Sequence, residues 1–172
     1  AQLLNVSELA TSFALGRAAL REYLRMLEQV FLVDLLPPWH ALEHQRLVKT
    51  PKLHLGDTGL AAALLRLDAT ALHSNRARLG QLLETFALQA LRRQATACPQ
   101  AITFSHFRHR DGQEVDIVLE QGDRLAGVDV TAAASVKPAS AGEPAAVGVG
   151  ASVGLTVAVN TTAAEIGNGA VV

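Results

Sequence analysis

The sequence predicts a mixed α/β fold, and three observations carry that expectation. Apolar residues recur at helical spacing in two stretches, 17–29 and 79–91. Three later stretches, 101–109, 113–120 and 124–131, read as strands separated by the turn sequences Asp111-Gly112 and Gln121-Gly122-Asp123. Of the 172 residues, 49% are hydrophobic but only 4% are aromatic, which allows one ordinary domain or two small ones with cores of Leu, Val and Ala. Two units are expected, residues 1–55 and residues 56–172, with the tail 132–172 poorly defined.

The first unit opens with a short helix capped by Ser7, which carries Leu9 and Phe13 and has Glu8 in its first turn. A break at 14–16 precedes the helix 17–29, whose apolar face is Leu20, Leu24, Leu27 and Val30/Phe31. The extended run FLVDLL stops at Pro37-Pro38, and LVKTPKLHL resumes an extended pattern after a loop over 39–46. Helix, turn, helix and two strands is the outline of a winged helix. In GDTGLAAALLRL a helix starts with Asp57 or Thr58 as its cap, and 68–78 reads as a polar loop. RLGQLLETFALQALRRQ is the strongest helix of the chain. Beyond 132 only Lys137, Glu143 and Glu165 are charged and no aromatic residue occurs. There AVGVGASVG is expected to be irregular, VGLTVAVNT to form a late strand and GNG a turn.

Charge is unevenly placed. Residues 61–110 carry seven basic and two acidic side chains, whereas 111–172 carry two basic and eight acidic ones. A basic segment feeding an acidic one suits a phosphate backbone held over a cation site, and equally two surfaces of one domain that attract each other. Arg17, Arg21 and Arg25, spaced four apart, form one stripe on their helix. They are the first nucleic-acid candidates, with a solvated helix face as the plainer alternative. Lys49 and Lys52 add positive charge nearby. Arg108 and Arg110, interleaved with His106 and His109, are the second set.

Several chemistries are excluded or disfavoured. A single cysteine, Cys98, allows no internal disulfide and no multi-cysteine zinc site. No apolar run reaches the length of a membrane helix and no signal-peptide pattern opens the chain, so a cytoplasmic protein without a membrane partner is expected. No P-loop signature occurs, hence ATP is not expected to bind this chain. His40 and His44 stand four apart, but in a Pro-flanked loop, where surface residues are expected rather than zinc ligands.

The strongest constellation is acidic. Matching the apolar faces Val115, Ile117, Leu119 and Ala126, Val128, Val130 across a turn at Gly122-Asp123 puts Glu114, Asp116 and Glu120 on the same opposite face as Asp129. Asp116 and Asp129 then lie across from each other, within reach of one Mg²⁺, a cation that takes oxygen ligands.

The runs LLETFALQALRRQ, FRHRDGQEVDIVLE and LAGVDVTAAASV resemble the restriction-endonuclease-like PD-(D/E)XK nucleases. More narrowly, with NVSELATSFALGRAALREYLRMLEQVFLVDLLPPW and RLVKTPKLHLGDTGL before them, they resemble the C-terminal region that follows an AAA-type P-loop ATPase in many bacterial and archaeal ATP-binding proteins. The resemblance covers roughly residues 5–137. It implies a winged-helix segment followed by a restriction-endonuclease-like domain, with a central mixed sheet flanked by helices. It also implies an ATPase domain of the same protein as partner, DNA as a further partner, and Mg²⁺ as cofactor if the nuclease site is active. Carried over by position, Glu84 matches the helix acid, Asp116 the central metal ligand and Asp129 the acid of the third motif. Thr131 departs from the pattern, because the family carries a lysine there and a threonine cannot offset developing charge. The function expected is therefore a nucleic-acid-facing or regulatory region; a non-catalytic interaction module and an active Mg-dependent endonuclease are the alternatives.

Overall fold

A computed structural model describes residues 2–39, 47–136 and 149–160, with side chains described to residue 130 except at His73. The mixed α/β fold expected from the sequence is present. The loop with His40 and His44, Lys137, and the Gly-Asn-Gly turn lie outside the described residues.

The first unit combines β1 (Gln2–Leu3), α1 (Val6–Ser12), α2 (Arg17–Gln29), β2 (Val33–Leu36) and β3 (Lys52–Leu55). Its three strands pair antiparallel in the order β1-β3-β2, and Leu4, Ala10, Leu20 and Leu24 make its core. The cap of α1 is Asn5 rather than Ser7: the Asn5 side chain accepts from the Glu8 amide, and its own amide donates back to the Glu8 carboxylate. Helix α2 has the expected length, but burial stops after Leu24. Val30 and Phe31 are 61% and 85% exposed. At Phe31 the chain takes a φ of 59° and turns into β2.

Three further helices follow: α3 (Thr58–Leu64), capped by Asp57, α4 (Ala69–Ser74) and α5 (Arg76–Ala95). Helix α4 replaces the expected loop at 68–78. Its local cause is the Asp68 carboxylate, which accepts from the Ala71 amide at 2.7 Å and so starts a turn of helix in a polar sequence.

The second sheet is an antiparallel meander of β4 (Thr103–Arg108), β5 (Glu114–Gln121), β6 (Arg124–Val136) and β7 (Val149–Asn160). The expected late strand thus begins earlier, inside the stretch read as irregular. Gly122, with φ 61°, takes the first central position of the β5–β6 turn, the place that a type II′ hairpin reserves for glycine. The described strands of this sheet are antiparallel rather than mixed, and the parallel component is one bridge between Pro38 and His106. Around it, the His106 amide donates to Pro37 O and the Trp39 amide to His106 O, so the end of β2 runs on along the edge of β4.

The two units share a core. Leu36 of β2 is buried with Leu88 of α5, Ile117 of β5 and Val128 of β6. On the other side of the sheet, Leu47 packs with Phe107 and Val118. Burying a leucine side chain contributes about 2 kcal/mol, so residues before 55 help to stabilise the sheet formed after 100.

Among the described glycines, Gly56 sits closest to other main chain. A Cβ built there would lie 2.0 Å from the Phe31 carbonyl oxygen, and the Gly56 amide already donates to Leu32 O. Gly56→Ala is therefore expected to lower stability by about 1–3 kcal/mol in urea unfolding, because main chain cannot give way as a flexible side chain can. An unchanged midpoint would contradict this packing.

Candidate functional site

Lys52 is the residue on which the acidic side chains converge. It lies on β3, two positions before His54, so both side chains project from one face of the strand toward α5. The Lys52 side chain is only 4% exposed, and its ammonium lies 2.9 Å from a carboxylate oxygen of each of Glu84, Glu114 and Asp116. Glu84 comes from the middle of α5, with 12% of its side chain exposed. Glu114 sits at the mouth and also meets the Arg108 guanidinium at 3.1 Å.

A β-bulge sets the orientation of Asp116. Ser105 pairs with Val118 and Phe107 with Val115, so two residues of β5, Asp116 and Ile117, oppose His106 alone. The extra residue breaks the alternation read from the sequence. Ile117 and Leu119 pack toward Leu88 of α5, while Val115 joins Val118 on the other side. Asp116 consequently turns to the α5 side, with Glu114, and meets Lys52. Asp129 alternates with Val128 and Val130, which pack toward α5, and so does not follow Asp116 to that side.

The expected common face of Asp116 and Asp129 is thus corrected, although their register is as expected. The pairs Gln121–Arg124 to Ile117–Val128 would place the two acids opposite each other one step further. There the ladder gives way to side-chain bonds. The Asp116 amide donates to Asp129 Oδ1 at 3.2 Å, and the Val130 amide donates to Asp116 Oδ2 at 3.0 Å. The carboxylates are linked through main-chain amides instead of converging on one point. Among the described residues no three His, Cys, Asp or Glu side chains have a geometry that could hold a metal ion.

The charges explain the titration directions. Glu84, Glu114 and Asp116 surround Lys52, and Glu114 also meets Arg108. Burial pushes the Lys52 ammonium down, but Glu84, Glu114 and Asp116 outweigh it and raise its pKa above the ordinary value. Burial also raises the pKa of Glu84, which Lys52 opposes and Asp116 reinforces. Asp129 is raised by burial, against the hydrogen bond from the Asp116 amide.

Beside this cluster the seam between the units remains polar. Thr85 donates its hydroxyl to Gln81 O, so it must accept from His54 Nδ1 at 3.2 Å, leaving Nε2 of His54 as a buried lone pair without a partner among the described residues. Burial, with Lys52 and Arg92 close by, lowers the His54 pKa to about 3, and the ring is neutral. Asp34, opposite His54 on β2, binds Arg92 at 3.1 Å and Gln89 at 3.3 Å, both from α5. His106 reaches Thr50 O at 3.0 Å. Four separate polar contacts therefore tie β2, β3 and the residues before β3 to α5 and the meander.

Of the residues singled out in the sequence, Glu84 and Asp116 come together, and Asp129 touches Asp116 through its amide. Arg17, Arg21 and Arg25 are exposed on α2, where Arg25 pairs with Glu22. Arg108 is drawn to Glu114, and Arg110 is exposed in the turn after β4. Lys52 and Glu114 escaped notice as site residues. The available signal was KLHL, which puts a lysine and a histidine on one face of a strand with leucines on the other.

Lys52→Met is expected to cost about 3–5 kcal/mol in urea unfolding, because three buried or half-buried carboxylates lose their counter-charge. A cost below 1 kcal/mol would reduce the cluster to a surface pair. His54 makes a separate pH prediction. Its folded pKa lies below the ordinary 6.5, so the unfolded chain binds more protons between pH 6.5 and about 3, and stability falls as pH drops through that window. Glu84 and Asp129, with raised values, work in the opposite direction on their own account. His54→Gln should accordingly flatten the acid limb of a stability–pH curve; an unaltered slope would show that the ring titrates normally.

Comparison with known proteins places two domain models on the chain. One, described as Domain of unknown function (DUF8612), matches residues 1–71. The other, described as Domain of unknown function (DUF4143), matches residues 79–164, half of the chain. The uncharacterized proteins Rv2008c of Mycobacterium tuberculosis and Mb2031c of Mycobacterium bovis are each 30% identical over 129 residues. That stretch is 75% of this chain but only 28% of either relative's length. No solved structure matches.

Proposed function

The chain belongs to the DUF4143 family, and from that premise we propose that it is the nucleic-acid-facing or regulatory region of a longer, ATP-dependent cytoplasmic protein. In this reading residues 1–55 are a winged-helix segment and residues 56–172 a restriction-endonuclease-like scaffold whose carboxylate centre holds the two together. One observation carries it: the Lys52 ammonium lies 2.9 Å from Glu84, Glu114 and Asp116. The oxygens that would face a metal ion are the ones that hold this internal cation, and the remaining Asp116 oxygen accepts from the Val130 amide. A divalent ion would have to displace a buried ammonium that also anchors β3. The centre is then structural, and the work of the region falls to its surfaces, with the arginine stripe of α2 as the nucleic-acid face. The ATPase would lie in the part of the longer protein that this chain does not cover, in keeping with its match to 28% of each relative.

A second reading is favoured by one feature of the same cluster. Lys52 supplies, from another strand and beside Glu84 and Asp116, the lysine missing at Thr131. Were the site an active nuclease, Asp116 and Glu84 would hold Mg²⁺, with Asp129 beside them, and Lys52 would offset the charge developing on the phosphate.

Two measurements separate these readings. With Lys52 as a structural cation, Mn²⁺ or Mg²⁺ leaves the melting temperature of wild type and Asp116→Asn equally unaffected, and neither cleaves DNA. Metal-dependent cleavage by wild type, abolished in both Asp116→Asn and Lys52→Met, would establish the nuclease instead. For the surface, changing Arg17, Arg21 and Arg25 together to Glu should weaken duplex binding and flatten its dependence on salt, by a slope of roughly one for each phosphate that an arginine no longer neutralises. Equal binding by the variant at low salt would remove α2 as the nucleic-acid face.

A further inference from the structure

Helix α2 carries a second exposed stripe that the arginines do not account for. At about 100° per residue, Leu20 and Leu24 define its buried face, and Arg17, Arg21 and Arg25 lie to one side of it. To the other side, Gly16, Ala19, Tyr23, Met26 and Val30 recur with the three-four spacing of a helix–helix seam, and all are exposed. Leu27 borders this stripe, and Phe31 and Leu32 extend it past the end of the helix. The turn holding Phe31 and Leu32 is fixed by its close contact with Gly56, so these side chains are held outward.

We propose that this stripe is a self-association surface, on which α2 of a second copy of this chain packs antiparallel about a two-fold axis. The size of the patch is in range. From Tyr23 to Leu32 the large apolar side chains leave roughly 700 Å² exposed, above the 300–600 Å² typical of the largest patch on a monomer and close to the ~800 Å² per partner of a standard interface. Glu22 and Gln29, at its margin, provide a polar rim. The stripe also complements itself. It is small at its N-terminal end, at Gly16 and Ala19, and large at its C-terminal end, at Val30 and Phe31. An antiparallel crossing sets Ala19 against Val30 of the second copy and Tyr23 against Met26, a favourable sulfur–aromatic pair. A parallel pairing would instead set small on small and large on large. The arginines of both copies then point away from the seam, so pairing leaves them free.

Sedimentation of the full chain tests this. Wild type should run as a dimer, and Tyr23→Glu with Met26→Glu should weaken self-association by at least about 100-fold while the circular dichroism melt stays unchanged, since both positions face solvent in the single chain. Register is read by crosslinking in a Cys98→Ser background. Chains with Tyr23→Cys mixed with chains with Met26→Cys should form a disulfide across the pair, more readily than either chain alone. A wild-type monomer at the highest soluble concentration would overturn the proposal, and some other partner would then have to cover the stripe. A dimer indifferent to the double Glu change would also overturn it, by placing the contact elsewhere.

Discussion

The Lys52 ammonium is the constraint from which the arrangement of the two units follows. A lysine buried to this degree needs counter-charges, and each of its three carboxylates comes from beyond residue 80. The place of strand β3 is therefore tied to those of α5 and β5. The reverse dependence also holds, since Glu84 and Asp116 are desolvated in a position tolerable only with a cation between them. Around this centre Asp34, His54 and His106 each find a partner across the same seam. Polar contacts of this kind add little net stability compared with apolar packing, but they tolerate one arrangement and penalise shifted ones.

This explains why the chain does not divide cleanly near residue 55. Leu36 sits at the centre of the core formed with Leu88, Ile117 and Val128, and the end of β2 continues along β4. The helical part of the first unit, by contrast, has its own small core of Leu4, Ala10, Leu20 and Leu24. The matched family stretches meet between residues 71 and 79, in and around α4, instead of at the β3 end. One unit thus provides a strand pair that completes the other, while α2 and the turns that follow α1 and α2 present most of the exposed large apolar side chains.

The bulge at Asp116 and Ile117 shows how local irregularity creates a site. Without it, Asp116 would alternate away from Ile117 and face the side of Val118, far from α5. One extra residue turns the carboxylate inward and frees its amide for the Asp129 side chain. The same irregularity ends the β5–β6 ladder early, and the two carboxylates replace the missing main-chain acceptors. A hairpin decorated with acids becomes a cluster tied to a helix and to a strand of another sheet.

Much of this was legible in the residues. Helical periodicity located α2 and α5, the turn sequences located the meander, and Gly122 with the apolar alternation set the register of β5 against β6. Glu84 and Asp116, both singled out in the sequence, meet at the Lys52 ammonium. Periodicity, turns and register depend on neighbours within a few residues or across one tight turn, so a linear sequence contains them. The tertiary structure decided what depends on distant segments: the bulge that reverses the face of Asp116, the burial of Lys52 and His54, and the exposure of Val30 and Phe31 where periodicity implied burial. A lysine on a short strand reads as a surface charge until the fold brings Glu84, 32 residues away, and Asp116, 64 residues away, to its ammonium. Charge pairing over such separations leaves no periodic trace, because only the folded chain sets the distance between the groups.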